Sequence, residues 1–144
     1  METIDRARFE HRLLELFRSH VIAVLPRRPV DRHILFKSAI LMFGAETTLD
    51  ETAVNAALAR WQATTGVGLD YVTWRRHLVD AGYLLRDRAR TRYCPARPPE
   101  ELSGIRFAPD VDGVDVPAVV EAARTEAERR KREHLSAPRD GAEG

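Results

Sequence analysis

A mainly helical domain with one small β-hairpin is the fold class this sequence predicts, and three observations predict it. Apolar residues recur at helical spacing in five separate stretches. Gly82 stops the fourth of them. Behind that stop, Tyr83-Leu-Leu and Thr91-Arg-Tyr-Cys94 flank an arginine-rich tip, Arg86-Asp-Arg-Ala-Arg90, and read as two short strands. A helix feeding a basic hairpin is the outline of a winged helix, that is, a helix-turn-helix plus a wing. Here it would carry N- and C-terminal helical extensions.

The first helix is expected over about Thr3 to Ser19, where Phe9, Leu13, Leu16 and Phe17 form one stripe. Val21 to Leu25 reads as a short strand or helix end, and Pro26-Arg-Arg-Pro29 as an exposed elbow. The second helix, about Val30 to Phe43, has a wide apolar arc and should be the buried central one, ended by Gly44. Thr48-Leu-Asp-Glu51 matches a capping box with Thr48 as the cap. The third helix then carries Val54, Leu58 and Trp61 to about Thr64, and Gly66-Val-Gly68 is a flexible turn.

Asp70 is the expected N-cap of the fourth helix. Tyr71, Val72, Trp74, Leu78 and Val79 read as its inward side, and Thr73, Arg76, His77 and Asp80 as its outward side. Arg75 falls within the apolar arc, so it should be structural and paired, because an unpaired buried charge is very costly. Residues 95–116, rich in proline and acid, read as an irregular connector. Asp115-Val-Pro117 starts a last helix that runs to about Leu135 on a thin Val/Ala stripe. The expected organisation is an N-terminal helical extension (1–23), a winged-helix-like domain (24–96), an acidic connector with the C-terminal helix (97–135) and a disordered tail (136–144).

Bulk composition bounds the function. The 144 residues suffice for one domain with extensions. The net charge is only +1, so any basic surface must be local. One cysteine excludes an internal disulfide framework, and no apolar run approaches the roughly 20 residues of a membrane span. Met1-Glu-Thr-Ile-Asp lacks a secretory pattern, and the expected location is the cytoplasm.

From about Val24 to Pro95 the chain resembles the bacterial family called domain of unknown function 2087. The resemblance rests on Leu25-Pro26 before a basic stretch, Glu51-Thr-Ala-Val-Asn55, Asp70, Trp74-Arg-Arg-His-Leu-Val-Asp80, Gly82-Tyr-Leu-Leu-Arg86 and Tyr93. The chain departs from the family pattern at Thr47-Thr48, in the longer link Ala63 to Leu69, and at the wing tip Asp87-Arg-Ala-Arg90. The resemblance implies a helical, winged-helix-like domain of no settled activity. Such domains often join DNA-binding or acetyltransferase domains.

The chemistry-bearing residues concentrate between Asp70 and Arg97, where seven arginines face three aspartates. Arg86, Arg88, Arg90 and Arg92 alternate, so on a strand they would share a face. Arginine forks fit phosphate oxygens, and Thr73, Arg76 and His77 of the fourth helix are candidates for base or phosphate contact. The bland alternative is a solvated hairpin blunting its own edge with charge. Trp61, Trp74 and Tyr71 read as core rather than stacking platforms. The five histidines and Cys94 form no metal-ligand spacing, and Cys94 reads as inert packing. No phosphate loop or catalytic carboxylate pair is recognisable. The expectation is a small winged-helix DNA-binding protein, a transcription regulator and not an enzyme, with no cofactor, no metal and no membrane association. Its partner would be double-stranded DNA. A second copy or another protein could dock on the C-terminal helix. The alternative expectation is a winged-helix adaptor that binds protein and not DNA.

Overall fold

The computed structural model describes residues 2–19, 22–44, 48–89, 91–98 and 100–136. It is mainly helical with small sheets. In chain order the elements are β1 (Glu2–Ile4), α1 (Arg6–Ser19), α2 (Pro29–Ile40), β2 (Leu49–Asp50), α3 (Glu51–Thr65), α4 (Tyr71–Asp80), β3 (Leu84–Arg86), β4 (Arg92–Pro95), α5 (Glu100–Ser103), β5 (Ile105–Phe107) and α6 (Val116–Ser136). Short 3-10 turns follow α2 (Leu41–Phe43) and precede α6 (Pro109–Gly113).

The N-terminus corrects the expected helix start. The helix starts at Arg6 and not near Thr3, because Asp5 caps α1 by accepting from the Arg8 amide at 2.8 Å. Glu2 to Ile4 instead pair in parallel with Ile105 to Phe107. That pairing also corrects the irregular connector: residues 100–113 fold into α5, β5 and a 3-10 turn. Neither three-residue strand has enough alternation to be seen alone. Asp110 then accepts from the Arg6 amide at the start of α1.

Phe9, Leu13 and Leu16 bury the expected stripe of α1. Arg12 grips the buried carboxylate of Asp31 in α2 through two bonds of 2.7 and 2.9 Å. The fork geometry compensates the desolvation of Asp31, and the carboxylate holds the Arg12 guanidinium above its usual pKa. Pro29 opens α2 at its first turn, where a missing amide costs nothing. Ile34, Leu35, Ala39 and Ile40 bury its wide arc.

The capping box is corrected as well. Leu49 and Asp50 form β2 against Tyr93 and Arg92, and the Asp50 side chain caps α3 by accepting from the Ala53 amide at 2.8 Å. Thr48 is not the cap. The Gly66-Val-Gly68 turn is pinned rather than loose: Gly66 is the left-handed cap of α3, Val67 is buried, and the Gly68 amide donates to Ile22. The three-stranded sheet has the order β2-β4-β3 and is antiparallel throughout.

Helix α6 buries Val116, Val120 and Ala123 against the rest of the chain, mostly against α1. Arg124 donates to the Thr64 carbonyl at the end of α3. From Glu128 to Ser136 every residue is exposed. Arg129 pairs with Glu126 and Glu133 there, and Arg130 with Glu126, as in a solvated, salt-bridged helix. The expected tail beyond Ser136 lies outside the described residues. No helix among the described residues is long and apolar enough to cross a membrane.

Candidate nucleic-acid interface

Helix α4 is positioned by its two ends and one anchored side. Asp70 accepts from the Thr73 amide at 2.7 Å, as its sequence position predicts. The amide and hydroxyl of Thr73 hold the Asp70 carboxyl below its usual pKa. At the other end Gly82 takes φ +85°, the Tyr83 amide donates to the Leu78 carbonyl, and the Gly82 amide to that of Val79. These two bonds make a Schellman stop, which a side chain at position 82 would strain.

Trp74 and Leu78 bury the inner line of α4 completely. The Trp74 ring stacks on Trp61 of α3 and touches Phe36 of α2, with centroids 4.7 and 5.3 Å apart. Trp61 donates its indole hydrogen to Ser38. Tyr83 completes the cluster, its hydroxyl in a hydrogen bond with Nδ1 of His33 at 2.7 Å. Burial pushes the Tyr83 hydroxyl up in pKa and the His33 imidazole down.

Arg75 is structural, as its helical angle predicts. Its guanidinium binds Glu51 and Asn55 of α3, and its side chain is largely buried. It also lies 6.0 Å from the centre of the Tyr93 ring in β4. Arg86 lies over the same ring at 5.2 Å. Tyr93 thereby couples α4 to the hairpin through two cation–π contacts.

The outer side of α4 differs from the expectation. Tyr71 and Val72 are 40% and 48% exposed, not inward. At 100° per residue Val72 stands about 160° from Trp74 and only about 40° from Arg76. The packed line is narrower than the apolar arc, so the free face holds Val72, Arg76 and Asp80. Thr73 and His77 are half-buried at the margin. Thr73 is engaged with Asp70, and His77 sets its ring edge-on to Trp74 at 6.3 Å.

The β3–β4 hairpin is closed by Asp87. Its amide donates to the Arg92 carbonyl, and its carboxylate accepts from the amides of Thr91 and Arg92 and from the Thr91 hydroxyl. An aspartate turn thus replaces the Asn-Gly signal. The register corrects the shared arginine face. Arg86 opposes Tyr93 and lies on the core side, whereas Arg92 precedes Tyr93 and points to the other side with Leu85 and Cys94. Arg88 sits in the turn, and Arg90 lies outside the described residues. Cys94 is exposed rather than packed.

Three acids of the connector are engaged elsewhere, and Glu101 is exposed. Glu100 binds Arg106, Asp110 the Arg6 amide, and Asp112 both Lys37 and Arg97. Among the described residues, Arg76, Arg86, Arg88 and Arg92 form no ion pair. No group of three metal-binding side chains occurs among the described residues either.

A family model described as "Uncharacterized protein conserved in bacteria (DUF2087)" matches residues 21–94, from shortly after α1 into β4. That span is just over half of the chain. The chain belongs to the DUF2087 family. The family segment therefore contains α2, α3, α4 and all of the three-stranded sheet but the last residue of β4, while α1, β5 and α6 lie outside it. No curated protein and no solved structure matches the chain.

Proposed function

We propose that this DUF2087 protein is a winged-helix DNA-binding protein that acts as a transcription regulator. The element order α2-β2-α3-α4-β3-β4 with sheet order β2-β4-β3 supports the winged-helix reading. In it α4 is the recognition helix and residues 87–91 are the wing. Arg76 and the neighbouring outer face of α4 address the major groove, and Arg88 and Arg92 hold phosphates, while Arg86 packs over Tyr93 on the other side of the hairpin. The observation that carries the reading is the pattern of ion pairs. The chain is nearly neutral, and Glu100, Asp110 and Asp112 of its connector are engaged by other partners, yet Arg76 of α4 and Arg88 and Arg92 of the hairpin have no carboxylate partner among the described residues. Binding of the purified chain to genomic DNA fragments at several salt concentrations tests it.

The adaptor reading keeps one supporting observation. The last turns of α6, from Glu128 onward, stand clear of the body of the protein. They carry four basic and two acidic side chains, and Leu135 is their one large apolar side chain, so they offer little apolar surface for a protein to cover. The DNA reading is preferred for that reason.

A further inference from the structure

The exposed start of α4 carries an apolar group where a purely electrostatic contact would need none. Val72 is about half exposed and sits one turn before Arg76 on the same face. Four residues of helix rise about 6 Å, so the two side chains address positions within about two base pairs of each other. No ion pair engages Arg76 among the described residues, and its fork matches guanine O6 and N7. A valine at the first turn matches the one apolar feature of the major groove, the pyrimidine 5-methyl group. Tyr71 beside it is also exposed and presents a hydroxyl suited to the flanking phosphate. Asp80, one turn past Arg76, disfavours phosphate at that end and so sets the N-terminal end of α4 toward the groove.

We propose that Val72 reads a thymine methyl group and Arg76 a guanine within about two base pairs of it, so that α4 selects sequence and does not only hold backbone. The proposal rests on the DNA-binding reading. The partner is unmodified duplex DNA. 5-Methylcytosine carries the same methyl and is distinguished by a separate arm of the test.

The experiment selects duplexes from a randomised library with the full chain at moderate salt. Uracil is then substituted for each thymine of the selected site. Uracil removes only the methyl, so it cannot disturb the protein fold. At one position the wild-type chain should bind the uracil duplex about three- to fivefold more weakly, the loss expected for one buried methyl. Val72→Ala should lose affinity for the thymine duplex by a similar factor and be indifferent to uracil at that position, with an unchanged thermal melt. Placing 5-methylcytosine there should restore the methyl contact but not the thymine pairing pattern, so binding above that of plain cytosine identifies the methyl as the feature read. A selected site without thymine near guanine overturns the proposal. So does a uracil effect that persists in Val72→Ala. If duplexes bind with steep salt dependence but no sequence is enriched, the proposal fails and the DNA reading stands. If no duplex binds even at low salt, both fail.

Discussion

Trp61 of α3 and Trp74 of α4 lie face to face, their ring centroids 4.7 Å apart and their planes 11° from parallel. This stack fixes the angle at which α4 leaves the body. It is backed by Leu58, Leu78 and Ile40, all buried, and by the hydrogen bond from Trp61 to Ser38. The Trp74 indole hydrogen is buried and has no partner, so the position is held by packing alone.

Replacing Trp61 by alanine should therefore cost roughly 3–5 kcal/mol of folding stability, read from denaturant unfolding. The loss removes the stacking partner of α4 along with the core volume. A cost below about 1 kcal/mol would mean that the α3–α4 contact is not the centre of the core.

The two adjacent arginines of α4 should behave oppositely. Arg75→Ala strands Asn55 and removes a charged partner of Glu51, and should destabilise the fold by about 1.5–3 kcal/mol, the usual worth of hydrogen bonds to charged groups. Arg76→Ala touches no partner and should change stability by less than about 0.5 kcal/mol while weakening DNA binding. Thermal melts of the two variants, compared with their DNA titrations, decide the matter. The reverse pattern would exchange the faces of the helix.

These arginines also show what was legible in the sequence. The angle of Arg75 within an apolar arc marked it as paired, and Glu51 and Asn55 are the partners the structure supplies. The same arc placed Val72 inside, because periodicity reports which residues are apolar and not how wide a line the neighbouring helix covers. The packing of α3 and the aromatic cluster on α4 reaches Trp74 and Leu78 and leaves Val72 exposed. The caps at Asp70 and Gly82 were legible because each is a local backbone event. The β1–β5 pair was not, since its two strands are a hundred residues apart and three residues long. Thr48 and Asp50 both carry capping oxygens. The choice fell to Asp50 because the strand pairing with β4 puts the helix start after it. The alternation of the hairpin arginines was visible, but the Asp87 turn and the register that send Arg86 and Arg92 to different sides were not.

Stability should depend on pH through His33. Burial and the nearby Arg32 charge lower its folded pKa below the ordinary value of 6.5. The unfolded chain thus takes up the proton first as pH falls. Stability should be full above about pH 6.5 and decline as pH drops toward the lower folded pKa, before carboxylates titrate. His33→Gln keeps a neutral hydrogen-bond partner for Tyr83 and should flatten this slope in urea unfolding at a series of pH values. An unchanged slope would assign it to another group.

The central claim, that the unpaired arginines beside and beyond α4 hold DNA phosphates, is tested most directly by a salt titration of the wild-type chain and an Arg88→Ala/Arg92→Ala variant on the same duplex. The logarithm of the wild-type binding constant should fall linearly with the logarithm of salt concentration, by about 0.9 for each phosphate neutralised. The variant should keep its fold, because both side chains are exposed, and should lose about one to two units of that slope to a similar extent on any sequence. Equal slopes and affinities in the two proteins, or no binding by the wild type at low salt, would contradict the account.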